Sequence, residues 1–468
     1  MHSHAPPPGC GSAAQGDRPA RIGPQTRAMT DEARIHLPFT KHTLDNGLVV
    51  VVHEDHRCPI VAVNVWYHVG SKDEAPGRTG FAHLFEHLMF EGSEHHDSGY
   101  FQPLQQAGAA LNGSTNTDRT NYWEVVPASA LDLALWLESD RMGYLLPALT
   151  ETKFSTQREV VLNERRQNYE NRPYGLASVA LAAALYPPDH PYNWPTIGRA
   201  ADLGTATIDD VREFFARFYH PANASLAIAG DVETGRALHL AEDYFGSIPA
   251  GLPVPRPAVP APVIGDVRLA FEDRVEFPRL YLGWHSPAIF ADGDAELDLA
   301  AEVLGGGKSS RLYRALVYGG RLATEVAAGQ NSRELSGFFN VVATAAPGRT
   351  LDDVEEVVVS VVDRLLADGP ESPELERSWA QAEAHFLFRL ASVGGFGGKA
   401  DQLNSYQTYS GDPGYITRDW SRYARATRES VRRAAEDRLG RGGRVALSVV
   451  PRGRMDLALA GSAMVMPS

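Results

Sequence analysis

One short segment, residues 80–90, constrains this chain more than any other. It reads Gly-Phe-Ala-His-Leu-Phe-Glu-His-Leu-Met-Phe and has no glycine or proline after Gly80, so it predicts a helix. His83 and His87 are four residues apart and would project from one helical face, close enough to share a metal ion. Glu86 lies at the edge of that face, where a carboxylate can take a proton from water beside the metal. Because a chain with 16 histidines can contain this H-x-x-E-H pattern by chance, a third ligand is needed.

The third ligand is expected on a second helix. Residues 151–170 form a long, largely polar segment with Glu164 in its middle, 77 residues after His87 (164 − 87 = 77). In these features the chain resembles the inverzincin, or pitrilysin-type, metallopeptidases, which include insulin-degrading enzyme and the mitochondrial processing peptidase. The resemblance implies that His83, His87 and Glu164 hold Zn²⁺ and that Glu86 moves the proton. The alternative is an ordinary polar surface helix.

Residues 110–126 predict two strands, and the first resembles the strand on which members of that family bind substrate. The resemblance lies in Asn112, Asp118 and Thr120, which match the asparagine, aspartate and later threonine of the family pattern. An unpaired strand edge exposes N–H and C=O groups, so an extended peptide can add to it as one more strand. The substrate-binding residues implied are Asn112, Gly113, Ser114 and Thr115. A hairpin with polar turn residues is the alternative.

The order of elements indicates a duplicated α+β fold. Strand and helix patterns precede a proline-rich segment at residues 248–262, and the same order returns beyond it. The sequence therefore predicts two homologous domains, each a mainly antiparallel sheet with helices packed against it. The predicted boundaries are a disordered tail at 1–36, a zinc-binding catalytic domain at 37–247, a linker at 248–264, a second domain without a metal site at 265–455, and a C-terminal tail at 456–468.

Composition and local patterns exclude several other classes of function. The formal net charge of −14 argues against nucleic acid as a partner. No apolar run is long enough for a membrane span, and the N-terminus lacks a signal-peptide core, so we predict a cytoplasmic protein. The two cysteines cannot form a disulfide framework. The run Gly305–Ser310 lacks the first glycine of a P-loop, so it does not predict ATP binding.

Two departures from the family pattern bear on activity. Gln157 occupies a position where many relatives have glutamate, and a neutral amide there implies weaker zinc binding or a less basic water. In relatives whose second half completes the site, an arginine and a tyrosine follow a Ser-Ser-Arg-Leu signature. Counting from Arg311 places Val317 and Thr324 at those positions. A shifted alignment would instead use Arg314, Tyr318 or Arg321.

We therefore predict a zinc-dependent endopeptidase that hydrolyses peptides or unfolded protein segments. Because Val317 and Thr324 cannot replace an arginine and a tyrosine as oxyanion donors, we expect a heterodimer. Its homologous partner chain, without H-x-x-E-H, would supply the missing pair, and a slow homodimer is the alternative. The rival function is a non-catalytic structural or binding subunit of the same fold. A zinc-stabilised binding module is a further alternative, and it would not need Glu86.

Overall fold

Two six-stranded sheets organise the residues that the computed structural model describes, which are 35–256, 259 and 262–467. The strands of the first sheet are β1 (Thr40–Thr43), β2 (Val49–Glu54), β3 (Ile60–Tyr67), β4 (Ala110–Thr115), β5 (Thr120–Pro127) and β6 (Ala224–Gly230). Those of the second are β7 (Val267–Asp273), β8 (Arg279–Ser286), β9 (Ala323–Asn331), β10 (Gly337–Ala345), β11 (Arg444–Pro451) and β12 (Ala463–Met464).

The strand orders of the two sheets are β1-β2-β6-β3-β5-β4 and β12-β7-β11-β8-β10-β9. Neighbouring strands run antiparallel except where β2 meets β6 and where β7 meets β11 and β12. All strands of the first sheet precede the proline-rich segment, and all strands of the second follow it. The predicted fold class, two mainly antiparallel sheets with packed helices, is confirmed.

Helices pack against both sheets. Those of the N-terminal half are α1 (Phe81–Leu88), α2 (Phe101–Gln106), α3 (Leu131–Ala148), α4 (Glu151–Arg165), α5 (Ala177–Leu185), α6 (Ala200–Thr205), α7 (Ile208–Phe218) and α8 (Thr234–Phe245). Those of the C-terminal half are α9 (Asp294–Gly305), α10 (Leu351–Asp368), α11 (Ser372–Arg389), α12 (Lys399–Ser410), α13 (Ile416–Arg425) and α14 (Arg428–Ala435). Among the described residues, no helix is both long enough and apolar enough to cross a membrane.

Each sheet is covered on one face by helices from the other half of the chain. Helices α11, α12 and α13 place Phe386, Leu403 and Trp420 against the alanine-rich face of the first sheet. In return, α5 places Leu181 beside Leu447 of the second sheet. Because both faces of the central strands are covered, β6 is buried along its whole length and reads as a continuous apolar run. The two halves therefore interlock.

The ends of the chain differ in part from the sequence prediction. Residues 1–34 of the predicted N-terminal tail lie outside the described residues, but Ile35, also assigned to that tail, is buried. In the predicted C-terminal tail, Leu459 is buried and β12 pairs with β7. These side chains pack because burying apolar surface is favourable, but such short segments carry no clear periodicity. The predicted linker falls partly on residues 257, 258, 260 and 261, which lie outside the described residues. The exact domain boundaries stay predictions.

Candidate metal centre

The helix that carries the H-x-x-E-H residues is fixed by its apolar face and by its N-terminus. Its buried side chains, which leave the polar residues facing outward, are Phe81, Leu84, Phe85 and Leu88. The helix follows Gly80, whose φ of 93° suits glycine. The buried Glu74 carboxylate accepts hydrogen bonds from the backbone N–H groups of Gly80 and Ala82, both at 2.9 Å. Since N–H groups at a helix start lack helical partners, Glu74 anchors α1.

The two histidines of α1 meet Glu164 of α4. Nε2 of His83 lies 3.7 Å from Glu164 Oε2, and Nε2 of His87 lies 3.4 Å from the same oxygen. All three ligand atoms lie within 4.8 Å of one another. Two ligands of a tetrahedral zinc ion, each about 2.0–2.1 Å from the metal, are about 3.3–3.4 Å apart. The residues present therefore fit a zinc ion, and three protein ligands is the usual number in catalytic zinc sites.

The environment adjusts the protonation of these side chains. Burial, together with the charge of His87, lowers the pKa of His83 to about 4, so this imidazole is neutral at pH 7 as a metal ligand must be. Burial also opposes the charged form of His87, but the hydrogen bond with Glu164, the negative charges of Glu86 and Glu164 and the contact with Gln157 together outweigh burial and raise the pKa of His87. The same contact lowers the pKa of Glu164.

Glu86 differs from the three candidate ligands because it lies beside them without sharing their cluster. Burial raises the pKa of Glu86, and the Thr115 hydroxyl and the positive charge of His87 only partly offset that effect. A carboxyl group with a raised pKa accepts and releases protons more readily near neutral pH than an ordinary glutamate does. This arrangement suits proton transfer.

Gln157 lies half-buried on α4, beside His87. Its side-chain amide donates a hydrogen bond to Glu91 Oε1 at 2.7 Å and contributes to the raised pKa of His87. It therefore links the end of the α1 segment to α4 without adding charge. Its effect on metal affinity stays a prediction.

The predicted substrate strand, β4, is an edge strand. Among the described residues, it pairs with β5 on one side and with no strand on the other. Of the four residues predicted to contact substrate, Asn112 is exposed, Gly113 is buried, and Ser114 and Thr115 are half-buried. A Cβ atom on Gly113 would lie 3.1 Å from Tyr122 and 3.2 Å from Phe90, so glycine permits this close packing. Because α1 also contacts β4, a peptide added to this edge would lie beside α1.

A hydrogen-bonded cluster joins the turn after β4 to the loop between β9 and β10. We call it the clasp, and it consists of His68, Lys72, Asp118, Tyr192 and Glu334. Tyr192 donates its hydroxyl hydrogen to Asp118 Oδ1 at 2.6 Å, and the backbone N–H of Glu334 donates to Asp118 Oδ2 at 3.1 Å. The Glu334 carboxylate accepts from His68 Nε2 at 2.7 Å and lies 3.3 Å from Lys72 Nζ. The clasp thus connects the end of the edge strand to the other half of the chain.

The clasp holds Glu334 in its charged form. Burial alone would raise the pKa of Glu334, but the hydrogen bond from His68 and the Lys72 ammonium group lower it to about 2. The sequence analysis matched Asp118 to a family pattern but did not pair it with Glu334. The two residues are 216 positions apart, and no local pattern connects them.

A cavity of about 650 Å³ opens beside Glu164, between the two halves of the chain. Polar side chains from both halves line it, including Arg172, Tyr174, Arg279, Tyr281, Arg333 and Asn340. The sequence analysis did not single out these residues, because only the packing of α5 on the second sheet brings them together.

The positions assigned to the missing arginine and tyrosine lie within the C-terminal half. Val317 packs against the second core, and the Thr324 hydroxyl donates to the backbone oxygen of Thr344 at 3.4 Å. Of the nearby residues considered in a shifted alignment, the Arg314 side chain is 62% exposed and Tyr318 is 83% exposed. None of these described residues lines the cavity beside Glu164.

Both halves of the chain resemble known proteins. Residues 49–190 match the family described as insulinase (peptidase family M16), and residues 205–381 match the peptidase M16 inactive domain. The chain is 30% identical over 376 residues to the zinc protease PqqE of Helicobacter pylori, a match that covers 78% of this chain and 84% of that protein. It is 25% identical over 354 residues to the uncharacterized zinc protease YmxG of Bacillus subtilis, covering 75% and 85% respectively.

Solved structures share the fold. The crystal structure of a protease from Helicobacter pylori has a TM-score of 0.82 at 26% identity and covers 89% of this chain and 100% of that one. The peptidase M16 inactive domain from Pseudomonas fluorescens has a TM-score of 0.79 at 20% identity, covering 89% and 98%. Fold and matched sequences together define a protein of the two-sheet metallopeptidase class. The chain belongs to peptidase family M16, the insulinase family, and the pitrilysin-type resemblance is confirmed.

Proposed function

We propose that this chain is a zinc-dependent endopeptidase that hydrolyses peptides or unfolded protein segments. One observation carries the proposal: His83, His87 and Glu164 bring their ligand atoms within 4.8 Å of one another, and the two histidines lie 3.7 and 3.4 Å from Glu164, near the spacing of tetrahedral zinc ligands. Glu86 stands beside them on α1, and relatives of the chain are named zinc proteases. A zinc-stabilised binding module would have no need of a carboxylate in that place.

Each group at the site would then have a separate role in hydrolysis. Bound to the three ligands, zinc would lower the pKa of a water molecule and polarise the scissile carbonyl group. Glu86 would accept the proton that the water loses and pass it to the leaving amine, a role that its raised pKa favours. The free edge of β4 would hold the substrate as an added strand, with Asn112, Gly113, Ser114 and Thr115 beside it.

The active form is proposed to be a heterodimer with this chain as the metal-bearing subunit. Val317 and Thr324 make their contacts inside the C-terminal half, and neither side chain replaces an arginine or a tyrosine. Losing one oxyanion donor typically costs about 100-fold to 1000-fold in rate. A homologous chain without H-x-x-E-H would supply the missing pair, whereas a homodimer of this chain would turn over slowly.

Metal removal and restoration test the proposal. The purified chain, alone and mixed with a homologous chain that lacks H-x-x-E-H, is incubated with a mixed peptide library, and cleavage is followed by mass spectrometry. We expect cleavage to stop after chelation and to return with about one zinc ion per chain. Adding the partner should raise the rate by about 100-fold.

Each result separates one part of the proposal from the others. Cleavage that survives complete removal of zinc would refute the zinc reaction. Strong cleavage by the chain alone, with no increase when the partner is added, would refute the heterodimer only. No cleavage under either condition, with zinc bound, would favour the non-catalytic subunit.

A further inference from the structure

We propose that the cavity beside Glu164 binds a carboxylate group of the peptide substrate. The inference deepens the proposed function and rests on it in two respects, that the ligand is a peptide and that a metal ion takes up the charge of Glu164. Three arginines line this cavity, Arg172 from the N-terminal half and Arg279 and Arg333 from the C-terminal half. Among the described residues lining it, Glu164 is the one acidic side chain, and in our proposal its charge is taken up by the metal. The remaining charge of the cavity is therefore positive.

Arg333 is the arginine best placed to hold an anion. Its guanidinium lies 5.2 Å from the ring centroid of Tyr192 and 4.8 Å from that of Phe338. It makes no ion pair with any residue in the described part of the chain. Contacts with aromatic rings orient a guanidinium without neutralising it. Arg333 is half-buried, so a carboxylate that reaches it would replace lost hydration with charge-assisted hydrogen bonds.

The other two arginines play different parts. Arg279 lies 3.8 Å from the ring centroid of Tyr174, donates to Thr344 Oγ1 at 2.7 Å and pairs with Glu325. Because Glu325 offsets its charge, Arg279 mainly shapes the wall of the cavity. Arg172 is exposed at the mouth and has no ion pair with the described residues, so it adds uncompensated positive charge. Arg172 and Arg333 thus supply the electrostatic attraction for a carboxylate group.

Position and size fit a segment of the same peptide that reaches the metal. Glu164 belongs both to the candidate metal site and to the cavity wall, so a substrate at the metal extends directly into the cavity. A volume of about 650 Å³ lies in the range of ligand pockets and admits more than one side chain. The chain as a whole carries a formal charge of −14, which repels acidic groups from most of its surface. A local basic cavity is therefore the place where an acidic group of the substrate would bind. The carboxylate can belong to an aspartate or glutamate side chain or to the peptide's C-terminus.

Equilibrium binding to the zinc-loaded Glu86→Gln variant tests the assignment without hydrolysis. Fluorescent peptides of one unstructured sequence are compared by anisotropy: a neutral, amidated parent, a set with one glutamate at each position in turn, and the parent with a free C-terminus. We expect at least one carboxylate peptide to bind about tenfold more tightly than the parent, and high salt to weaken that preference. The glutamate set and the free C-terminus distinguish the two sources of the carboxylate.

Substitutions in the same background locate the effect. Arg333→Gln should bring the affinity for the preferred peptide to within about twofold of that for the neutral parent. Arg172→Gln, at an exposed position, should reduce the preference in part. Arg349→Gln, on an exposed turn that does not line the cavity, should leave it unchanged.

Five outcomes are decisive. Equal affinity for all peptides, or no saturable binding of any, would overturn the proposal, as would a preference that survives both Arg333→Gln and Arg172→Gln. If Arg333→Gln does not fold, Arg172→Gln alone decides. Cleavage by the wild-type chain, alone and with the partner chain, is scored separately: a carboxylate preference without cleavage under either condition would refute the peptidase and support the binding site. Cleavage without a preference would refute the binding site alone.

Discussion

The clasp leads to a quantitative prediction about Glu334. Its carboxylate accepts a hydrogen bond from His68 at 2.7 Å and lies 3.3 Å from Lys72, and its side chain is 22% exposed. These contacts outweigh burial and lower the pKa of Glu334 from 4.5 to about 2. Since one pKa unit corresponds to about 1.4 kcal/mol, the difference amounts to about 3 kcal/mol. Glu334→Gln should lower the free energy of unfolding by about that amount at pH 7.

The pH dependence of this effect has a definite sign. Because the pKa of Glu334 is lower in the folded chain than in the unfolded chain, its contribution is complete above about pH 4.5 and disappears as the pH falls toward 2. The advantage of wild type over Glu334→Gln should therefore shrink between pH 4.5 and pH 3. Urea denaturation followed by circular dichroism measures both proteins at pH 7, 5, 4 and 3.

A matched variant controls for the loss of one negative charge. Glu276 is exposed in the same half of the chain, and Glu276→Gln should change the unfolding free energy by less than about 0.5 kcal/mol. The reasoning would be refuted if Glu334→Gln cost no more than this control at pH 7. It would also be refuted if the cost were the same at pH 3 as at pH 7.

Two further substitutions probe the edge strand and a residue close to the candidate metal ligands. Gly113→Val should lower kcat/KM for peptides by about tenfold or more, because the valine side chain would clash with Tyr122 and Phe90. A Cβ atom alone would already lie 3.1 Å from Tyr122 and 3.2 Å from Phe90. Unchanged kinetics would contradict the role of β4. Gln157→Glu should change zinc affinity, because it replaces the N–H donated to Glu91 with a second negative charge. Competition with a fluorescent zinc chelator measures that affinity, and an unchanged value would show that Gln157 does not influence zinc binding.

The parts of the site that were predictable from the sequence are local. Helical periodicity places His83 and His87 on one face, and the apolar residues between them predict which face is buried. The hairpin of β4 and β5 was likewise visible in a short stretch, although its place at the sheet edge depends on the whole strand order. Glu164 is different, because nothing in the polar segment 151–170 distinguishes it from Glu159 or Glu170. Only the family resemblance singled it out.

The parts that the sequence did not predict depend on contacts between distant residues. Burial of α11, α12 and α13 on the first sheet follows from their apolar faces, but an apolar face does not specify which surface it covers. The pairing of Asp118 with Glu334 joins residues far apart in the chain, as does the meeting of Arg172 with Arg333 around one cavity. Glu74 precedes α1 by only a few residues, yet its role as an anchor depends on how the intervening loop folds back.

The measurement that tests the central claim most directly is zinc content and peptide cleavage on the same preparations of three proteins. Wild type should contain about one zinc ion per chain and cleave peptides, with partner chain added where needed. Glu86→Gln should keep its zinc and lose cleavage by about 100-fold or more, because Glu86 is proposed to move a proton and not to bind the metal. His83→Ala should lose both zinc and activity. Full activity of Glu86→Gln, or full zinc content in His83→Ala, would contradict the account.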